Sequence, residues 1–99
     1  MGLDLFIRVY TYFKIDDNKR NTWRVIELAN LRNCWEFLEA LQYFVDLNNG
    51  TSTWVYGGEI YKALKLVKDK DEIKLVKKFI KENDVENSDR QEYEVHAWW

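Results

Sequence analysis

The sequence holds one histidine, His96, and one cysteine, Cys34. Nucleophilic catalysis needs an activated nucleophile with a base in hydrogen-bond reach, and these two are the only Cys–His pair on offer. Cys34 falls on an apolar stripe, where a cysteine behaves as a small buried hydrophobe, so a working dyad is not expected. A structural zinc site is excluded by count, because four Cys or His ligands do not exist. The Asp16-Asp17 pair could in principle serve a hydrolase or hold Mg²⁺, but Lys19 and Arg20 beside it make a solvated turn the simpler reading. Asp4 reads as a surface charge. No GxGxxG, GxxxxGK[ST] or GxSxG occurs, and Gly57-Gly58 alone is too weak a phosphate signal to use. The expectation is a protein that is not an enzyme and needs no cofactor or metal.

Chemistry of a different kind is written in LDLFIRVYTYFKI, residues 3 to 15. Apolar side chains at every second position, Leu3, Leu5, Ile7, Val9, Phe13 and Ile15, predict a β-strand with one buried face. The opposite face carries Asp4, Arg8 and Lys14, as a solvated face should, and also Phe6, Tyr10 and Tyr12. Rings of this type make interface hot spots, since each offers a large rigid area at small entropic cost. With Trp23 they are the candidate anchors for a partner, and Arg8 and Lys14 are rim charges that would orient docking.

The elements that must position these rings follow from periodicity. DDNKRN at 16 to 21 is turn-forming, and TWRVIEL at 22 to 28 alternates again, which predicts a hairpin. Cys34, Phe37, Leu38, Leu41, Phe44 and Val45 recur at three and four residues and predict a helix over 34–47, with Asn33 and Glu36 as a capping box. LNNGTST breaks the chain, and a short strand over 53–56 follows. Helices are expected over 59–68 and 72–82, meeting at a bend near KDKD, with Asp71 as N-cap of the second. QEYEVHAWW alternates and predicts a last strand over 91–98. The sum is α+β: one domain over 1–99, with an antiparallel sheet of three to four strands built from both ends of the chain and two to three helices on one face.

Composition narrows the classes further. Aromatic residues make up 16% of the 99 residues and proline is absent, so the short chain has unusual apolar area per residue. No window approaches the roughly 20 apolar residues that span a bilayer. MGLDLF carries no secretory signal, and Phe6 stands where a myristoylation signal wants Ser or Thr. With a lone cysteine, a cytosolic location is the expectation. Net charge is −2, unevenly spread: residues 1–61 carry −2, residues 62–81 carry +5 through eight lysines, and residues 82–94 carry −5. Bulk charge therefore excludes a purely electrostatic nucleic-acid binder, and the 62–81 segment is a second candidate surface.

Two partner classes remain. A sheet face with Phe6, Tyr10 and Tyr12 could stack the bases of a single strand, yet cations near it are few and the RNP pattern is missing. A protein partner fits the rings better. Against both stands self-coverage: Trp98 and Trp23, or the loop 47–56, would fold over the rings, or a second copy would bury them in a homodimer through an edge strand.

At Met1-Gly2-Leu3-Asp4, at Glu27-Leu28-Ala29 with Arg32 and Cys34-Trp35, and at the aromatic end closing in Trp, the chain resembles a family of small phage and prophage proteins. These open MGLD before a strand, carry a central segment like ELAYWRKCW leading into a helix, and end on a tyrosine-rich strand closing in Ser-Trp. Here Asn30-Leu31 replaces the family's Tyr-Trp, Asn33 its Lys, and Ala97-Trp98-Trp99 its ending. The resemblance implies a mobile-element origin and no reaction. By analogy with small acidic phage proteins, it implies an inhibitor that occludes a host defence protein in the host cytoplasm, as anti-CRISPR proteins do.

Overall fold

The structure, a computed structural model, describes residues 2–14 and 21–99, the side chains of 13, 14, 21 and 22 excepted. The expected positions Ile15, Asp16, Asp17, Lys19 and Arg20 and the side chains of Phe13 and Lys14 therefore lie outside the described residues. In chain order the elements are β1 (Asp4–Lys14), β2 (Asn21–Asn30), α1 (Trp35–Leu41), β3 (Thr51–Tyr56), α2 (Gly57–Leu64), α3 (Lys70–Glu82) and β4 (Glu92–Trp98). The architecture is α+β. Four strands lie in the order β2-β1-β4-β3, and every neighbouring pair is antiparallel. The two ends of the chain thus supply the two central strands.

Alternation decides which face is buried. Leu3, Leu5 and Ile7 of the first strand, Val55 of β3 and Tyr93, Val95 and Ala97 of β4 share one core with Phe37 and Leu41 of α1, Ile60 and Ala63 of α2, and Val76 and Phe79 of α3. Each fully buried Val, Leu, Ile or Phe among them contributes about 1.5–3 kcal/mol of transfer free energy. All three helices pack on this inner face. Cys34 is wholly buried there, as its place on the apolar stripe predicts.

The helix expected over 34–47 stops at Leu41. Beyond it Tyr43 and Phe44 donate to Ala40 and Leu41, three residues back, and the Gln42 side chain donates to the Leu47 carbonyl, so the chain tightens into turns. Phe44 accordingly leaves the apolar stripe and is exposed, while Val45 still packs against the core. The Asn33–Glu36 capping box does not form. Asn33 adopts φ 61°, a left-handed conformation that asparagine tolerates, and its side-chain oxygen accepts from the Leu3 amide at 2.9 Å. Glu36 accepts instead from the Lys68 and Asp69 amides. The cap of α3 is Asp69 rather than Asp71, with Glu72 N donating to it at 3.0 Å. α2 begins two residues earlier than expected, and the bend between α2 and α3 occupies residues 65–69.

Two features set the shape of the sheet. Pairing steps from Ile7↔Ala29 to Arg8↔Glu27, so Leu28 is an extra residue in β2. This bulge lets Trp23, Val25 and Glu27 face outward while Ala29, of the same parity, faces the core. Pairing of β1 with β4 ends at Arg8↔Glu94. From there β1 and β2 continue as a two-stranded ribbon with register to Lys14↔Asn21, reaching about 20 Å further at some 3.4 Å per residue. The molecule is elongated, 51 × 27 × 21 Å.

Candidate functional site

Among the described residues, no helix lies on the outer face of the sheet. Register places its side chains in rows across the strands: Trp23 beside Tyr12, Val25 beside Tyr10, then Glu27, Arg8, Glu94 and Trp54, then Phe6, His96 and Ser52, with Glu92 beside Tyr56 and Asp4 beside Trp98. The rings touch one another. Tyr12 and Trp23 lie 5.0 Å apart between centroids, Tyr10 and Trp54 5.1 Å, and Phe6 and His96 6.4 Å. Five remain open: Tyr12, Trp23, Trp54, Tyr56 and Trp98 are 40–64% exposed. At roughly half of a ring's full area each, they leave on the order of 500 Å² of aromatic surface on one side of the molecule, as much as a large patch on an ordinary monomer.

A polar knot holds the centre of this face. Arg8 Nη1 lies 3.2 Å from Glu94 Oε1 and its Nε 3.9 Å from Glu27 Oε1, while its guanidinium sits 5.4 Å from the Phe6 ring centroid. The Tyr10 hydroxyl donates to Glu94 Oε2 at 3.0 Å. That bond raises the Tyr10 pKa, with desolvation and the Glu94 charge adding to it and Arg8 opposing. Tyr56 is raised the same way, first by its hydrogen bond to Glu92. Carboxylates thus fix the two tyrosines that border Trp54. In all, the described outer face holds Asp4, Glu27, Glu92 and Glu94 against one full cation, Arg8.

No family model, curated protein or solved structure matches the chain. Of the residues singled out from sequence, Tyr12 and Trp23 are exposed, Phe6, Arg8 and Tyr10 are half-buried on the same face, and the Lys14 side chain lies outside the described residues. Trp23 packs on Tyr12 without covering it, and of the 47–56 stretch weighed as an alternative cover, residues Thr51–Tyr56 form β3 in the plane of the sheet. Sequence reasoning missed Trp54 and Tyr56. The signal was present, because TSTWVY alternates around buried Val55 and puts both rings opposite it.

Three other constellations have structural explanations. Ser52 Oγ and His96 Nδ1 lie 2.7 Å apart, but they are direct cross-strand neighbours on an open face, and among the described residues no carboxylate orients the imidazole as a triad requires. Glu36, Asp69 and Glu72 bring three carboxylate oxygens within 4.8 Å, a candidate metal-holding group among the described residues. Each already accepts from backbone: Glu36 from Lys68 and Asp69, Asp69 from Glu72, and Glu72 from Phe37 at 3.1 Å. The acids of α1 and α3 cap one another's surroundings. At Gly57-Gly58 the first amides of α2 donate to the Gln91 and Ser88 carbonyls, so they do not face a phosphate.

Proposed function

We propose that this chain is a protein-binding module that occludes a partner's surface with its outer sheet face. The observation that carries the reading is the set of half-exposed rings, Tyr12, Trp23, Trp54, Tyr56 and Trp98, on the one side of the sheet that no helix covers. Rigid aromatic rings around a hydrogen-bonded charged centre are the composition of an interface hot spot. Charge favours a protein over a single nucleic-acid strand: among the described side chains, phosphates laid along this face would meet Asp4, Glu27, Glu92 and Glu94 with Arg8 as the opposing cation. The resemblance to phage proteins, and nothing else, supplies the kind of partner, a bacterial defence protein such as a CRISPR effector.

The test is comparative capture. Immobilised wild type and the variants Trp54→Ala and Tyr12→Ala, each checked for fold by circular dichroism, are exposed to bacterial lysate, and any protein retained by wild type alone is purified and titrated directly. Loss of that interaction in both variants is the expected result. Tight binding of an oligo-dT strand that weakens steeply with salt, with the two variants defective, would replace the protein reading by the nucleic-acid one.

A further inference from the structure

The other side of the molecule has a groove that the outer face does not explain. It runs between α2 and α3, with a volume of about 470 Å³, and Leu64, Val67, Ile73 and Ile80 form its floor. Leu64, Ile73 and Ile80 remain only partly buried, so the two helices leave apolar surface open between them. Tyr61 also lines it, but its hydroxyl is spent on the Val85 carbonyl at 2.7 Å.

The rim is basic. Lys65 closes the α2 side and Lys77 the α3 side. Along α3, Lys70, Lys74, Lys77 and Lys81 follow at spacings of four, three and four residues, which sets them in a row along one side of the helix next to Ile73 and Ile80. All eight lysines of residues 62–81 are exposed. Of the three acids in this segment, Asp69 and Glu72 accept backbone amides and Asp71 is exposed in the first turn of α3, which leaves eight lysines against three carboxylates. Among the described residues only Lys78 has a carboxylate within 4.0 Å, Glu82 at 3.9 Å. Like charges at this spacing repel by a few tenths of a kcal/mol per pair, a cost that lysine's helix propensity offsets, and the row concentrates positive charge beside the groove.

We propose that this groove is a second docking site and that it takes an acidic amphipathic helix of a partner protein. An apolar floor between two helices accepts the apolar stripe of a third, and a lysine row beside it pairs with the carboxylates that flank that stripe. The charge selects the sign of the partner, and the cleft selects a helix. A nucleic-acid strand would want a series of open ring faces, whereas this groove has the single, partly buried ring of Tyr61, and a bilayer would want a flat or convex apolar surface. The site is independent of the outer sheet face.

Amide NMR titration of the full chain tests it, using a synthetic helix of about 15 residues with leucines at three- and four-residue spacing and glutamates elsewhere. Saturable shifts at Leu64, Ile73, Lys77 and Ile80, weakened several-fold when salt rises from about 50 to about 300 mM, are expected. The double variant Lys74→Glu with Lys77→Glu, both exposed positions, should keep its amide spectrum elsewhere and lose at least about tenfold in affinity. A version of the peptide with lysine for glutamate should not bind. The proposal is overturned if the acidic peptide leaves the groove signals unmoved, if the charge-reversed variant binds it equally well, or if phosphatidylglycerol vesicles or an oligonucleotide shift those signals and the peptide does not.

Discussion

The Tyr10 hydroxyl donates to Glu94 Oε2 at 3.0 Å, joining β1 to β4 two residues beyond the last paired position of β1. The other oxygen of Glu94 holds Arg8, and the Tyr10 ring leans on Trp54. One carboxylate therefore fixes the root of the ribbon and the ring at the centre of the proposed interface.

Removing the charge from Glu94 should release Tyr10. The neutral phenol is favoured by the bond to Glu94, so the folded-state pKa lies above 10.0; this contribution is complete below the unfolded value and is lost as pH rises through the folded one. Glu94→Gln should move the Tyr10 titration down, toward the ordinary tyrosine value. The ring-carbon NMR shift of Tyr10 followed against pH reads this directly, and an unchanged midpoint would mean that the carboxylate does not govern the phenol.

Adjacent glycines at the start of α2 should respond very differently to alanine. A Cβ on Gly57 would run into the Glu86 carbonyl oxygen, whereas one on Gly58 would meet the Ser88 carbonyl oxygen at 3.4 Å, an ordinary contact. Gly57→Ala should cost about 3 kcal/mol or more, because backbone must move. Gly58→Ala should stay within about 1 kcal/mol of wild type, helped by the higher helix propensity of alanine. Urea denaturation of both variants measures the contrast.

Cys34 should be inert in the folded protein. Burial pushes its thiol up to about 11, with the Glu72 and Asp69 carboxylates adding to the effect, so the reactive thiolate is scarce at neutral pH. A thiol-specific chromogenic reagent should label the protein only as fast as it opens, and at once in denaturant. Fast labelling of the native protein would place the sulfur at the surface.

Much of this architecture could be read from alternation, because period-two patterns over Leu3–Ile7, TSTWVY and EYEVHAW have one buried face each. The pattern failed where a side chain took a partner distant in sequence. Asn33 and Glu36 have the types and spacing of a capping box, yet Asn33 serves the Leu3 amide and Glu36 the bend before α3; tertiary hydrogen bonds outcompeted the local ones. The bulge at Leu28 was equally hidden, since nothing in VIELAN marks which residue is extra. For the site, the rings of β1 were legible as outward-facing, but Trp54 could join Tyr10 only once β3 was known to pair with β4.

The acidic cluster between α1 and α3 supplies a last prediction. Burial raises the Glu72 pKa above 4.5, and Glu36 and Asp69 add repulsion, while the Phe37 amide pulls the other way. A carboxyl whose folded pKa is raised favours folding fully below the unfolded value, and that advantage is lost as pH rises through the folded value. Ionised Glu72 is thus a liability at neutral pH. Glutamine keeps an oxygen for the Phe37 amide and brings an NH₂ that can donate to Glu36 or Asp69. Glu72→Gln should therefore raise the urea midpoint at about pH 7 and do so much less at about pH 4, where the wild-type side chain is largely protonated. Equal gains at both pH values would trace the effect to packing, and a loss at neutral pH would show that the ionised carboxylate caps α1 better than an amide can.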